Sequence, residues 1–321
     1  MILSIAILIP SIFILVLYCL TNKEKQRLNE ITRSQLAGSF IKLSQGTVHY
    51  KIEKATNYHS EKSENQIKPT IILVPGFSAA SFVWDANIRA LAKADFNVVS
   101  FDFFGRGLSD SPHHNQSDYS LEFLVQQLKE LLDALNIHEA VSLAGLAMGA
   151  AVVTKFTNLY PGRDNRIILL DPLITAPHQP AMKILNIPLL TNLLSKIVLL
   201  PKIQKEALNY LHEPSEHPQW QQQFSMQKKY KGHARAMLKS ASALMGRDFT
   251  PDYEKLGQWN KPIQLLWGRY DQTMPISQSE QIIKLLPSVD FHTIDNAAHL
   301  PNYEQAEEVN TNMINFLNKR I

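Results

Sequence analysis

The chain has 321 residues, of which 45% are hydrophobic and 19% are charged, so it can bury a sizeable core and is not disordered by composition. Its 32 Lys and Arg against 29 Asp and Glu give a formal net charge of +3, with no long basic block. That balance argues against a nucleic-acid binder that works by neutralising phosphates. Cys19 is the single cysteine, which excludes an internal disulfide framework and a cysteine zinc site.

The N-terminal segment MILSIAILIPSIFILVLYCL, residues 1–20, carries no charged side chain. A helix of this length spans about 30 Å, the thickness of the hydrocarbon core of a bilayer. A cleaved signal peptide would need a basic start and a small-residue cleavage site, and neither is visible. We therefore expect an uncleaved single-pass transmembrane anchor, followed by a juxtamembrane linker over residues 21–37. Lys23, Lys25 and Arg27 follow the anchor and place the globular part on the cytoplasmic side by the positive-inside rule.

The globular part begins with a predicted β-hairpin around Gln45 and Gly46, between two apolar runs. Short, nearly continuous apolar runs then alternate with amphipathic patterns such as residues 121–135. Runs that are apolar on both faces and separated by helices indicate a mostly parallel sheet with helices on both sides. We therefore predict an α/β fold with a mostly parallel eight-stranded sheet flanked by helices. The runs are residues 70–74, 97–102, 140–145, 166–171, 262–268 and 289–295.

The alternation stops after residue 172, and six prolines punctuate residues 173–250, which show no convincing strand pattern. We expect these residues to form a helical cap between the sixth and seventh strands, on a core made of residues 38–172 and 251–321. Residues 184–200 of the cap contain one charge, Lys196. Two interpretations stay open for this stretch: helices that pack over a pocket, or a surface that also dips into lipid.

The motif LAGLAMGA, residues 143–150, lies between a predicted strand and a predicted helix. Its frame is G-x-x-x-G, with Gly145 and Gly149 on either side of Ala147. A G-x-S-x-G nucleophile elbow needs small residues at both outer positions, because the strand turns sharply into the helix and the central residue is strained. The frame of an elbow is therefore present, with Ala147 where a serine would stand.

Four further motifs occur in the order and spacing that accompany such an elbow. They are VPGF at 74–77, DFFGRGLSD at 102–110, WGRYDQTMP at 267–275 and AAHLPNYEQ at 297–305. On these motifs the chain resembles the α/β-hydrolase superfamily over about residues 38–321. It looks like the membrane-anchored monoacylglycerol-lipase-like and bacterial esterase or lipase members, although Pro75 replaces the usual histidine of the first motif.

The resemblance implies a catalytic triad and an oxyanion hole at matching positions. The residue at 147 would attack an acyl carbonyl, His299 would take its proton, and Asp271 would orient the imidazole. Backbone N–H groups of Phe77 and Met148 would form the oxyanion hole. The implied reaction is hydrolysis of a carboxylic ester with a lipid-like acyl group, with thioesters, amides and lactones left open. No cofactor and no metal are expected.

Ala147 has no oxygen that could attack a carbonyl, so we expect the chain to be inactive as written. Loss of a triad nucleophile lowers kcat on the order of 10⁶-fold in a well-studied hydrolase. Either a serine has been replaced by design, or the chain is a natural non-catalytic member that binds a ligand or partner. Retention of Asp271, His299 and the strained elbow favours the first explanation. The expected partner is a small acyl ester, no nucleic acid is expected, and the oligomeric state is left open.

Overall fold

The computed structural model describes residues 16, 18–20, 22–56, 68–112, 118–176, 195–244 and 246–319. Most of the predicted anchor, residues 1–15, and residues 184–194 of the apolar cap stretch lie outside this part of the chain. Within the described residues, no helix has the length and apolar character needed to span a bilayer. The transmembrane helix predicted for residues 1–20 is therefore not found there, and the anchor stays a prediction.

One sheet of eight strands forms the centre of the molecule, in the order β1-β2-β4-β3-β5-β6-β7-β8. The pairs β1–β2 and β2–β4 are antiparallel, and all other neighbours in the sheet are parallel. The predicted eight-stranded, mostly parallel sheet is thereby confirmed, with β1 and β2 as the hairpin. The strands are β1 (Ser39–Leu43), β2 (Gly46–Glu53), β3 (Thr70–Val74), β4 (Asn97–Phe101), β5 (Val141–Leu146), β6 (Asp164–Leu170), β7 (Ile263–Gly268) and β8 (Asp290–Ile294).

The central strands are buried on both faces, as their continuous apolar sequences require. Every residue of β3, β5 and β7 is buried. Side chains alternate between two apolar clusters, so that Ile72 packs on one face of the sheet and Ile71 on the other. Leu128 and Val152 belong to the first cluster, and Val309 belongs to the second. Helices therefore cover both faces, which is what a parallel sheet of such strands needs.

The helices follow the amphipathic patterns between the strands. The predicted helix over residues 121–135 is observed as α3, and Ser120 caps it by accepting the N–H of Phe123. The α-helices with assigned bounds are α1 (Glu30–Ser34), α2 (Asp85–Lys93), α3 (Leu121–Ala134), α4 (Met148–Leu159), α5 (Leu200–Glu206), α6 (Trp220–Met226), α7 (His233–Leu244), α8 (Thr250–Gly257), α9 (Ser279–Leu285), α10 (Pro301–Glu304) and α11 (Ala306–Asn318).

Helical segments lie between β6 and β7, where the sequence predicts a cap. A π-helical turn, Ser195–Leu199, runs directly into α5, and α6 and α7 follow. The isolated bridge between Thr175 and Asp248 brings the two ends of this insertion together next to the sheet. The chain thus leaves and re-enters the sheet layer at one point. The boundaries proposed for core and cap, residues 38–172, 173–250 and 251–321, stay a prediction.

Candidate active site

The sharp bend between β5 and α4 is centred on Ala147. Its backbone has φ 52° and ψ −112°, although it is not a glycine, and such a conformation is strained. The N–H of Ala147 donates to the carbonyl of Leu170 at 2.9 Å, and its own carbonyl accepts the N–H of Ala150 at 3.1 Å. These bonds hold the strained residue at the apex, with its methyl group on the wall of a cavity.

The two glycines that flank the apex occupy places where a side chain cannot fit. A Cβ atom on Gly145 would lie 2.5 Å from the carbonyl oxygen of Gly149. A Cβ atom on Gly149 would lie 2.5 Å from the carbonyl oxygens of both Val74 and Pro75. Strand β5, helix α4 and the loop after β3 therefore meet backbone to backbone. This close approach is the physical reason for the spacing of Gly145 and Gly149 about position 147.

His299 and Asp271, which come from separate loops, meet beside this bend. The Nδ1 atom of His299 lies 2.7 Å from Oδ2 of Asp271, and both side chains are buried. The other carboxylate oxygen of Asp271 accepts the N–H groups of Thr273 at 2.7 Å and Met274 at 2.9 Å. Because a carboxylate only accepts hydrogen bonds, Nδ1 of His299 donates, and Nε2 is the acceptor nitrogen of the neutral ring. His299 lines the same cavity as Ala147.

A second aspartate, Asp171, lies beside this pair at the end of β6. It is fully buried with φ 42°, and its Oδ1 accepts the N–H of Gly268 at 2.9 Å. Burial, and then the negative charge of Asp271, raise the pKa of Asp171 well above its ordinary value. Asp171 therefore binds a proton more readily than an ordinary aspartate does.

A third carboxyl group, Glu304, faces the same corner. Its two oxygens accept the backbone N–H groups of Ala298, at 2.8 Å, and of His212. Burial raises the pKa of Glu304 to about 7, and the charge of Asp271 acts in the same direction. Glu304 thus fastens the loop that carries His299 to the cap residue His212.

Neither of these carboxyl groups is among the site residues that the sequence predicts. The signal for Asp171 was present, because it ends the apolar run 166–171 at the carboxyl edge of the sheet, where ligands of open α/β sheets bind. Glu304 lies within the motif at 297–305, but nothing in the sequence indicates that it contacts the cap. Both roles follow from tertiary proximity to Asp271.

The cavity has a volume of about 230 Å³ and an apolar wall with a polar end. The predicted oxyanion residues Phe77 and Met148 line it together with Ala147 and His299. Its described apolar lining residues include Leu146, Leu173, Leu199, Ile203, Leu244, Met274 and Leu300. No group of three or more His, Cys, Asp or Glu side chains among the described residues could hold a metal ion.

Two polar features line this cavity. Beside His299, the hydroxyl of Ser78 donates to the Tyr210 hydroxyl at 3.3 Å, and the Tyr210 ring lies 5.4 Å from the His299 ring. At the rim, Lys202 and Glu206 of α5 form an ion pair at 3.7 Å and are about half exposed. The polar end adjoins His299, whereas the rim belongs to the cap.

Arg106 supports the loop that carries Phe77. Its Nε–H donates to the carbonyl of Phe77 at 3.0 Å, and its NH1 group donates to the carbonyl of Phe104 at 3.0 Å. Burial lowers the pKa of Arg106 to about 10, so the guanidinium stays charged at neutral pH. This residue of the motif at 102–110 therefore fixes the peptide next to the predicted oxyanion hole.

Asp102 of the same motif lies in a different Asp–His pair. Its carboxylate accepts the N–H groups of Ser81 and Leu108, each at 2.8 Å, and lies 2.8 Å from Nδ1 of His49. Hydrogen bonds from His49, together with the backbone N–H groups, lower the pKa of Asp102 against the opposing effect of burial. Neither residue is among those that line the cavity, so this pair shapes loops.

Residues 69–306 match the α/β-hydrolase fold family, so the chain belongs to that family. A relative named 2-hydroxy-6-oxononadienedioate/2-hydroxy-6-oxononatrienedioate hydrolase, from Paraburkholderia phymatum, is 29% identical over 258 residues, covering 78% of this chain and 87% of the relative. Among solved structures, the bromoperoxidase from Bacillus anthracis has a TM-score of 0.72 at 17% identity, covering 88% of this chain and 100% of that chain. The thermophilic esterase from Thermogutta terrifontis has a TM-score of 0.70 at 21% identity, covering 87% and 98%.

The superfamily predicted from the sequence motifs is thereby confirmed. The structural likenesses, at these identities, concern the fold alone. The relative from Paraburkholderia phymatum is named as a hydrolase, which agrees with a general hydrolase framework.

Proposed function

We propose that this chain has the framework of a serine carboxylic-ester hydrolase, in which position 147 is the nucleophile position, His299 the general base and Asp271 the residue that orients it. The observation that carries the proposal is the 2.7 Å contact between His299 and Asp271 on the cavity that the strained Ala147 also lines. Two distant loops and a strained bend have no structural need to converge on one cavity, whereas nucleophilic catalysis requires it.

The reaction follows from this geometry once an oxygen is present at position 147. A serine hydroxyl there would attack the acyl carbonyl while Nε2 of His299 takes its proton. The developing oxyanion would accept hydrogen bonds from the N–H groups of Phe77 and Met148. Because Met148 begins α4, the positive end of the helix dipole would also stabilise the negative charge. His299 would then protonate the leaving alcohol, and water would release the acyl group by the reverse sequence.

Ala147 stops this sequence before its first step, since a methyl group cannot form the acyl bond. We propose that the chain as written binds an acyl ester and leaves it intact. The intact surroundings of position 147 favour replacement of a serine over a natural binding protein, because the strained backbone and the Asp271–His299 pair serve no purpose in a simple apolar binding site.

The lining of the cavity favours an uncharged, apolar acyl ester as the substrate. The relative from Paraburkholderia phymatum is named for dianionic substrates, which need cationic partners. Among the described lining residues, Lys202 is the one Lys or Arg, and it is already paired with Glu206. An apolar wall and a rim ion pair suit the lipid-like acyl group of an esterase, lipase or monoacylglycerol-lipase-like enzyme.

The test is the Ala147→Ser variant, assayed with esters of short, medium and long acyl chains. We expect hydrolysis to rise on the order of 10⁵- to 10⁶-fold over the parent chain, because the other parts of the site are in place. The matched control is Ala147→Ser combined with His299→Ala, which should lose this gain. A folded Ala147→Ser variant with no activity on any ester would refute the proposal, and tight ester binding by the parent would then identify a binding protein.

The second substrate in the same assay is 2-hydroxy-6-oxononadienedioate, a dianion for which the relative is named. If the Ala147→Ser variant turned over that substrate and hydrolysed no ester, the proposed ester hydrolysis would be wrong. The reaction for which the relative is named would take its place. We expect the opposite preference, since the described lining residues hold no unpaired Lys or Arg for two carboxylates.

We further propose that residues 1–20 anchor the protein in a membrane, with the globular part on the cytoplasmic side. The segment has no charged side chain, and the exposed Lys23, Lys25 and Arg27 follow it. The full chain should float with vesicles and resist alkaline extraction, whereas a chain lacking residues 2–20 should not. Equal flotation of the two chains would refute the anchor.

A further inference from the structure

The linker that follows the apolar segment is bonded to the cap through a buried ion pair. Glu24 and Lys196 are 6% and 5% exposed, and Oε2 of Glu24 lies 3.1 Å from Nζ of Lys196. The other oxygen of Glu24 accepts the N–H of Ala234 at 2.6 Å, in the first turn of α7. One carboxylate therefore joins the linker to two separate parts of the cap.

Contacts on both sides of Glu24 extend this junction. Gln26 donates its N–H to the carbonyl of Lys229 at 2.9 Å and accepts the N–H of Lys231 at 2.8 Å, as in a short parallel bridge. On the other side, Nζ of Lys196 donates to the hydroxyl of Tyr18 at 3.1 Å and lies 5.0 Å from the centre of its ring. Tyr18 belongs to the apolar segment itself, so the cap contacts both the linker and the end of that segment.

These contacts hold the linker and the cap in a fixed relative position. Removal of either partner of a buried ion pair leaves a charge without compensation, which is strongly unfavourable. Backbone hydrogen bonds at Gln26 oppose separation as well. We therefore expect that whatever fixes the apolar segment in space also fixes the cap.

Simple chain lengths place the cavity rim close to the end of the apolar segment. From Lys196 to Lys202 the chain is helical, and six residues at 1.5 Å per residue span about 9 Å. Lys196 itself contacts Glu24 of the linker and Tyr18 of the apolar segment. The rim residue Lys202 therefore lies fewer than two helical turns from a residue that touches the end of the apolar segment.

The side chains around this junction have the character of a membrane interface. Leu20 is 68% exposed and Val198 is 55% exposed, and each follows by two residues a partner in the contact between Tyr18 and Lys196. A tyrosine beside exposed aliphatic side chains is typical of the level of the lipid headgroups. The exposed Lys23 adds a positive charge that suits anionic headgroups.

We propose that the cap–linker surface, formed by Tyr18, Leu20, Lys23 and Val198, rests on an anionic lipid bilayer, and that the Glu24–Lys196 pair holds the cavity rim against the headgroups. This inference rests on the proposed anchor. In this orientation an acyl ester enters the cavity from the membrane, without passing through water. The bilayer is therefore the partner of this surface, and the Glu24–Lys196 pair positions the cavity rim relative to it.

Depth-dependent fluorescence quenching tests this orientation in the full chain. With Cys19→Ser as the background, a fluorophore is attached at Val198→Cys or, as the matched control, at Leu159→Cys. Leu159 is 49% exposed and ends α4, the helix that begins at the elbow, so it lies away from the cavity. In vesicles of phosphatidylcholine and phosphatidylglycerol with spin-labelled headgroups, we expect several-fold stronger quenching at 198 than at 159.

Breaking the ion pair then separates docking from anchoring. We expect Lys196→Met in the Val198→Cys background to float with vesicles as before, because the apolar segment is unchanged, but to lose the excess quenching at 198. Lys129→Met, which removes a half-buried ion pair with Asp133 on α3, should leave both readouts unchanged.

The readouts keep the separate claims apart. Flotation with equal quenching at 198 and 159 would overturn the docking proposal, and unchanged quenching in Lys196→Met would overturn the role of the ion pair. Loss of flotation in the parent would overturn the anchor and the docking together. None of these measurements requires turnover, so a failed hydrolase assay would be a different result.

Discussion

Replacement of Glu304 by glutamine should remove a pH dependence of stability that this buried carboxyl group creates. Burial raises the pKa of Glu304 from an ordinary 4.5 to about 7. The folded state therefore holds the proton more tightly than the unfolded state does. The contribution of Glu304 to stability is full below about pH 4.5, falls as the pH rises from 4.5 to about 7, and then levels off as the folded state also loses the proton.

The size of this effect follows from the two pKa values. The interval from 4.5 to about 7 corresponds to about 3 kcal/mol at 1.36 kcal/mol per pH unit. Because Glu304 is only partly buried by surface area, solvent screening reduces the expected effect to about 2 kcal/mol. Glutamine stays neutral throughout, but its amide leaves one of the N–H groups of Ala298 and His212 without an acceptor, at a pH-independent cost of about 1–3 kcal/mol.

The assay is urea denaturation of the full chain, followed by tryptophan fluorescence in one detergent between pH 4.5 and 8. The free energy of unfolding of Glu304→Gln, minus that of the parent, should increase by about 2 kcal/mol across this range. The exposed Glu254→Gln serves as the matched control and should give a flat difference. A flat difference for Glu304→Gln as well would refute the argument that burial holds the proton on this group.

Two further predictions concern the acid pair and the elbow. In an Ala147→Ser background, Asp171→Asn should keep kcat/KM at pH 7 within about tenfold, because asparagine resembles a protonated carboxyl group. Asp271→Asn should lower kcat/KM on the order of 10³- to 10⁴-fold. Equal losses in the two variants would show that Asp171 is ionised. Gly149→Ala should destabilise the fold by about 3 kcal/mol in urea denaturation, because its Cβ would lie 2.5 Å from two carbonyl oxygens. The control Gly162→Ala, whose Cβ would have no atom within 4 Å, should change stability by less than about 0.5 kcal/mol. Similar effects of the two substitutions would contradict the close approach at the elbow.

The sheet and the elbow could be predicted because their signals are local in the sequence. The strands β3, β5 and β7 are buried on both faces, so their apolar runs stand out in the sequence. The ends of β3 to β8 differ from the predicted runs by at most two residues. Gly145 and Gly149 mark the bend because no other residue fits there. Asp271 and His299 were found by motif, since each follows a strand with its own flanking residues.

Other features depend on distant parts of the chain and leave no local pattern. Glu24 and Lys196 look like ordinary surface charges in the sequence, and their pairing appears only when the linker meets the cap. Likewise, the hydroxyl of Ser78 donates to Tyr210 on the wall of the cavity, although no sequence spacing links the two residues. Burial of these polar groups is a property of the tertiary structure.

The central claim is that a serine at position 147 would become a nucleophile activated by His299. The most direct measurement is the intact mass of the Ala147→Ser variant after treatment with a fluorophosphonate, which reacts with activated serines. We predict one adduct at residue 147, none on the parent chain, and a much slower reaction when His299→Ala is added. A folded Ala147→Ser variant without an adduct, or an adduct on the parent chain, would contradict the account.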